Sequence, residues 1–253
     1  MRAAADDGEV KALAARYKEA LDNAKARGAD VLVEAFERAV GDSHAVVNLE
    51  LMRLLDLVSK EQTLYANYHL AVKAEVREAA KAEFDRHRRA VDAILFGRYA
   101  EELRYAALSI DGRGLKSYGK YTIVLKDVAV AKRSSVLEEN SFHFCKRHAL
   151  KPGDPIPEGY RAVWGQRQKL AVAKLADAIT SNTTVSSFTS LLLHSASTRG
   201  EDDYVEVQIF GAFNNGAIEA VVGATTSTRP SESAMAAVAK ELILKSGKSW
   251  VDA

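Results

Sequence analysis

The four prolines all lie beyond residue 151, at Pro152, Pro155, Pro157 and Pro230. A proline interrupts the backbone hydrogen-bond ladder of a helix, so the long stretch before Pro152 is free to run through helix after helix. Its first hundred residues carry the matching pattern. Val10, Leu13, Tyr17, Leu21 and Ala24 recur at steps of three and four, which is one apolar stripe on a helix that Gly28 can end. Asp30 can cap a short second helix that reaches Val40 and stops at Gly41. Ser43 can cap a third, with Val46, Val47, Leu51, Leu54, Leu55 and Val58 inside. A fourth, long helix is expected over residues 62–95, with Gly97 breaking the pattern. Short links between such helices favour antiparallel packing.

Near Tyr105 the period changes. Residues 105–110 are short and apolar, and Asp111-Gly112-Arg113-Gly114 closes them as a turn. Tyr121 to Leu125 reads as a strand, and residues 128–136 as a short helix or strand. Three of the prolines fall in residues 152–159, an exposed loop. Residues 166–179 have helical spacing, 188–194 read as a strand, and 204–210 alternate cleanly. In that alternation Tyr204, Glu206, Gln208 and Phe210 share the polar face, opposite Val205, Val207 and Ile209. Residues 218–222 continue the β character, and 231–244 form a closing helix with Gly247 beyond it. The fold class expected is therefore α+β, with an antiparallel helical bundle over 1–103 as a docking or delivery module. A mixed α/β domain over 104–253 carries the chemistry.

Charge limits the partners. Lys and Arg total 35 against 34 Asp and Glu, which argues against a nucleic-acid binder that works by bulk charge. Arg86, Arg88 and Arg89 with Lys146, Arg147 and Lys151 leave only a local basic patch. No window approaches the ~18 apolar residues of a membrane helix, and no apolar leader follows Met1. The expected setting is cytoplasmic, or delivery into a target cell without a cleaved signal peptide, with no membrane partner. One cysteine, Cys145, excludes an intrachain disulfide. It reads as a small buried hydrophobe, or as a nucleophile with His143 or His148 as its base.

Most catalytic motifs are absent. Ser246-Gly247-Lys248-Ser249 lacks the upstream glycine of a phosphate loop, and Gly112-Arg113-Gly114 lacks the third glycine of a dinucleotide fingerprint. No nucleophile elbow and no zinc spacing appear. Glu83 and His87 stand four apart, but beside Arg86, Arg88 and Arg89, and read as a solvated face rather than a metal site. The Ser- and Thr-rich residues 180–198 suit either a pocket lining or an exposed β-edge.

Two segments carry a resemblance. The first runs Tyr105-Ala106-Ala107-Leu108-Ser109, Tyr118-Gly119-Lys120, Tyr121 to Lys126, Arg133-Ser134-Ser135 and Ser141. The second is Tyr204-Val205-Glu206-Val207-Gln208-Ile209-Phe210-Gly211. Together they resemble bacterial and phage domains related to ADP-ribosyltransferases and polymorphic toxins. The departures are Val136-Leu137 for Phe-Thr, Glu139-Asn140 for Gly-Asp, and Phe210 for a histidine.

The resemblance implies an ADP-ribosyltransferase-like β-core and mono-ADP-ribosyl transfer from NAD, as substrate, to a macromolecular target. A toxin or effector of this kind would act on a protein target or host partner. Breaking the nicotinamide–ribose bond develops positive charge on the sugar, which a carboxylate stabilises. Glu206 is the candidate, with Gln208 standing where many such enzymes carry a second acid. Arg104, Tyr118, Ser134, Ser135 and Ser141 are the candidates for holding NAD, with Ser187 and Ser190 as alternative supports for the glutamate. No metal is implied. Because Gln208 replaces the usual acid, either Glu206 is used differently or the domain is a degenerate scaffold. In the latter case the chain is a non-enzymatic interaction protein whose helical part binds a partner.

Overall fold

The computed structural model describes residues 3–66 and 83–253, with side chains from Ala4 to Ala66 and from Arg88 onward. The elements follow in chain order. The first are α1 (Asp7–Ala26), α2 (Asp30–Gly41), β1 (His44–Leu49), α3 (Leu51–Ser59), α4 (Glu83–Phe96), β2 (Leu103–Ser109) and β3 (Tyr121–Leu125). Next come α5 (Asp127–Val130), β4 (Ser134–Leu137), α6 (Ser141–Arg147), β5 (Arg161–Val163), α7 (Arg167–Leu175) and α8 (Phe188–Leu192). The last are β6 (Leu193–His194), β7 (Asp203–Tyr204), β8 (Glu206–Phe210), β9 (Ile218–Val222), α9 (Pro230–Lys245) and β10 (Ser249–Val251). Eight strands form one mixed sheet in the order β10-β9-β3-β1-β2-β8-β4-β5, and β6 pairs with β7 separately. Only the β10–β9 pair of the large sheet is parallel.

The segment expected as a third helix begins as β1 instead, with α3 following it. Ala45, Val46, Val47 and Leu49 are all buried, so both faces of this strand are covered. A strand buried on both sides loses its alternation and reads as a continuous apolar run, which periodicity cannot separate from a buried helix. The β-branched Val46 and Val47 favour the extended form.

This correction removes the separate N-terminal bundle. β1 pairs with β2 through His44↔Ser109 to Val46↔Ala107, and with β3 through Val46↔Val124 to Leu49↔Tyr121. The expected boundary between 103 and 104 therefore cuts across one hydrogen-bonded sheet. α1 and α2 pack on α7, from the second half of the chain, rather than on a bundle of their own. Phe36 of α2 meets Phe188 of α8 edge-on, ring centroids 5.3 Å apart.

Three further expectations change. The long helix was expected to start near residue 62, but Leu64 bridges to Asn214 and Tyr65 stacks on Phe213 at 4.7 Å. Its middle, residues 67–82, lies outside the described residues, as do the side chains of Glu83 and His87. Residues 188–192 are helical, not extended, because Phe188 and Leu192, four apart, both turn into the core. α9 starts at Pro230, one residue before the expected 231, because a proline's missing N–H costs nothing in a first turn. The strands at 121–125 and 218–222 lie where their β-rich content places them, and that at 206–210 falls within the alternating residues 204–210.

One face of the sheet is covered by the helices α1, α2, α3, α7 and α9, and holds the largest core, including Val47, Leu108, Ile123 and Val207. The other carries two smaller cores, around Val46, Ala107, Val124 and Tyr204, and around Leu137, Phe144 and Val91. α4 and α6 pack together over that second face.

Candidate functional site

The alternation of β8 sends Val207 and Ile209 into the large core and Glu206 and Gln208 to the second face. There they are not solvated, as a polar strand face would be. Glu206 is 1% exposed and Gln208 3%. The ladder sets Glu206 between Ala107 of β2 and Leu137 of β4, and Gln208 between Tyr105 and Ser135. Gln208 Nε2 donates to Glu206 Oε1 at 3.2 Å, and Ser135 Oγ donates to Gln208 Oε1 at 3.4 Å.

Asn140 caps α6 by accepting from the Phe142 N–H at 2.8 Å. That turn aims the backbone N–H and the hydroxyl of Ser141 at Glu206 Oε2, at 3.2 and 3.3 Å. Asn140 Nδ2 also donates to the Tyr204 hydroxyl at 2.6 Å. α4 completes the enclosure through Arg88 and Asp92, one turn apart and paired at 3.0 Å. Asp92 is fully buried, and Arg88 17% exposed. The Arg88 guanidinium lies 3.4 Å above the Tyr105 ring, whose hydroxyl donates to Asp92 at 2.7 Å. Arg88 Nη1 reaches Ser141 Oγ at 3.5 Å.

Burial dominates the electrostatics. It pushes the Glu206 carboxyl up to about 6, while Arg88, Gln208 and the Ser141 N–H pull the other way. It also holds the hydroxyls of Tyr105 and Tyr204 well above their ordinary range. A carboxyl balanced in this way is still mostly ionised at neutral pH, and carries less stabilisation than an exposed one.

Beside this cluster opens a cavity of about 390 Å³. Its wall includes Arg53, Arg88 and Arg199 and the rings of Tyr105, Tyr118 and Tyr204. Tyr118 hydrogen-bonds Tyr204, and Arg199 stacks over the Tyr118 ring at 4.4 Å. Arg199 is held by its own Nε donating to the Ser117 carbonyl at 3.2 Å, beside the Ser117–Asp202 hydrogen bond. Glu206 itself is not in the wall. Its ladder partner Ala107 and its neighbours Arg88 and Tyr204 are in the wall.

No protein-family model matches the chain, and no curated protein does.

Of the residues singled out from sequence, Glu206, Gln208, Ser135 and Ser141 meet in one hydrogen-bonded cluster, and Tyr118 lies in the cavity wall. Arg104 does not join them. It pairs in register with Ile209, so its side chain leaves the opposite face, 3% exposed, and donates to the carbonyls of Tyr65, Glu101 and Leu103. Ser134 also pairs with Ile209 and faces away from Glu206. Ser187 and Ser190 bond only to nearby carbonyls of their own turn. Sequence reasoning missed Arg88 and Asp92. Arg88 was grouped with a solvated basic patch, yet it lies inside. The signal available was the Arg-to-Asp spacing of four. No cluster of three or more metal-ligating side chains occurs among the described residues. None of their helices is long and apolar enough to cross a membrane.

Cys145 sits on the buried side of α6 with its thiol pushed up to about 11 by burial. His143 and His148 are both held below the ordinary imidazole value by burial. At pH 8 such a thiol is ionised to roughly one part in a thousand, against about a quarter for a free cysteine. Alkylation of the native protein by iodoacetamide is therefore expected to run at least tenfold slower than after unfolding. Equal rates would mean that the thiol is accessible and activated.

Proposed function

We propose that the chain is an NAD-dependent mono-ADP-ribosyltransferase-like effector that transfers ADP-ribose to a macromolecular target. The observation that supports this reading best is the pairing of an arginine- and tyrosine-walled cavity with a buried carboxyl directly behind its wall. Arginines suit a diphosphate and tyrosine rings suit a flat base. A carboxylate in a low-dielectric setting is strongest where positive charge develops on a ribose. Tyr118, Ser135, Ser141, Glu206 and Gln208, which carry the sequence resemblance, all belong to the cavity wall or the cluster behind it.

The proposal is tested with labelled NAD and a bacterial or eukaryotic protein extract as acceptor. Labelled protein or released nicotinamide is expected. Glu206→Gln is expected to reduce turnover roughly 10²–10³-fold. Turnover should also fall as pH drops through about 6, where Glu206 takes up its proton.

A second reading is a ligand-binding scaffold without chemistry. It is favoured by the engagement of both Glu206 oxygens by Ser141 and Gln208, and by the place of Glu206 behind the cavity wall. Binding of ADP-ribose without release of nicotinamide from NAD would decide for it. Absence of any binding would reject both.

A further inference from the structure

Among the described residues, two buried carboxylates, Asp92 and Glu206, face one buried guanidinium, that of Arg88, and they do not share it evenly. Arg88 gives its Nε to Asp92, at 3.0 and 3.1 Å from the two carboxylate oxygens. It makes no ion pair with Glu206 and approaches it only through Ser141 Oγ, at 3.5 Å on the Arg88 side and 3.3 Å on the Glu206 side. Two further contacts lock this arrangement. The Tyr105 ring lies under the guanidinium at 3.4 Å, and the Tyr105 hydroxyl donates at 2.7 Å to Asp92 Oδ1, the oxygen that is also 3.0 Å from Arg88 Nε. Asp92 is at the buried end of α4 with no exposure, so it cannot swing out to solvent and release the arginine.

We propose that Asp92 is a positioning residue that withholds Arg88 from Glu206, and so keeps the Glu206 carboxylate free of a direct ion pair. A carboxylate clamped by an arginine has its charge neutralised before the reaction begins. One that is merely near an arginine stays ionised at neutral pH and keeps most of its field for a developing cation. The groups facing Glu206 fit this division. Arg88 and Asp92 come from α4, Tyr105 from β2, Tyr118 from the segment before β3, Cys145 from α6 and Tyr204 from β7. Among the described residues Arg88 is the one cation of this group. Burial raises the Glu206 carboxyl most, and the position of the Arg88 guanidinium, which Asp92 holds, sets the largest opposing pull.

The inference rests on the proposed use of Glu206, but its test does not depend on turnover. The Glu206 carboxyl is titrated by ¹³C NMR in the full chain, with Glu206→Gln assigning the signal. In Asp92→Asn, Arg88 is released to pair with Glu206, and the midpoint is expected to fall by about 1–2 units. In Arg88→Met the midpoint should rise. The double variant Asp92→Asn, Arg88→Met separates the mechanism from simple repulsion. If Asp92 acts through Arg88, removing Asp92 should change the midpoint far less in the Arg88→Met background. An equal fall in both backgrounds, or no fall in the single variant, overturns the proposal. With NAD, Asp92→Asn should lower kcat at least tenfold while KM changes less than about twofold, as expected for an interaction used only in the transition state. A shifted midpoint in a protein that never turns over NAD supports the positioning role and removes only the transferase reading.

Discussion

Arg88→Met is expected to destabilise the protein by about 3–5 kcal/mol at pH 8, because it leaves two buried carboxylates without their cation. Met retains much of the stem that packs on Tyr105, so the loss is one of charge more than of volume. The pH dependence follows from the direction of the shifts. Without the Arg88 charge, which lowers it, Glu206 prefers the protonated form in the fold still more strongly than in the unfolded chain. A raised folded pKa contributes stability that is present below the unfolded value and disappears as pH rises through the folded one. The deficit should therefore shrink by pH 5, where Glu206 accepts a proton. In the parent protein Glu206 already lies at about 6, above its ordinary 4.5. That gap corresponds to roughly 2 kcal/mol of stability lost between pH 4.5 and 7. Denaturant unfolding of both proteins across this range measures the difference, and a pH-independent deficit would show that the two carboxylates do not need Arg88.

The second large effect is expected at Gly119. Its φ is +152°, in the region that side chains avoid. A Cβ there would overlap the backbone carbonyl of Leu49 and the Glu50 nitrogen. Neither is a flexible side chain, so the end of β1 must move. Asn48 donates to the Gly119 carbonyl at 3.0 Å, and Asn48, Leu49, Glu50 and Tyr118 all line the cavity. Gly119→Ala should cost roughly 2–5 kcal/mol from strain and overpacking combined. It should also weaken ADP-ribose binding at least tenfold under conditions where the variant is still folded. Calorimetric binding alongside thermal unfolding checks both. Unchanged affinity in a destabilised protein would place the ligand elsewhere.

How far the sequence could be read is best seen residue by residue. β8 was legible from its alternation, and β3 and β9 from their β-branched and apolar content between turn residues. The course of α1 was legible because its stripe and Gly28, at φ +66°, agree; the Asp6 cap that starts it went unread. β1 was not, because a strand covered on both faces has no alternation to show. The cluster of Glu206 with Gln208, Ser135 and Ser141 was gathered from short matched segments. Its burial was not legible, since Glu206 looks the same in sequence whether α4 and α6 cover it or water does. Arg88 was misread for the same reason. Only the spacing of four to Asp92 separates Arg88, stacked on Tyr105 inside the protein, from Arg89 beside it, which is exposed, and that spacing alone does not report burial. Arg104 failed differently. It is adjacent to Tyr105, and one residue along a strand is the opposite side of a sheet.

The central place of β1 has a consequence for how the protein is made. The strand emerges early in synthesis, but its neighbours β2 and β3 follow only after α4, and the sheet is not finished until β8, β9 and β10 have appeared. Until then its apolar residues have no ladder to join, and they are a target for holding chaperones. A nascent chain released before its final third should be degraded rather than accumulate as a stable fragment. Assembly of the whole chain should be slow, governed by contacts between distant segments.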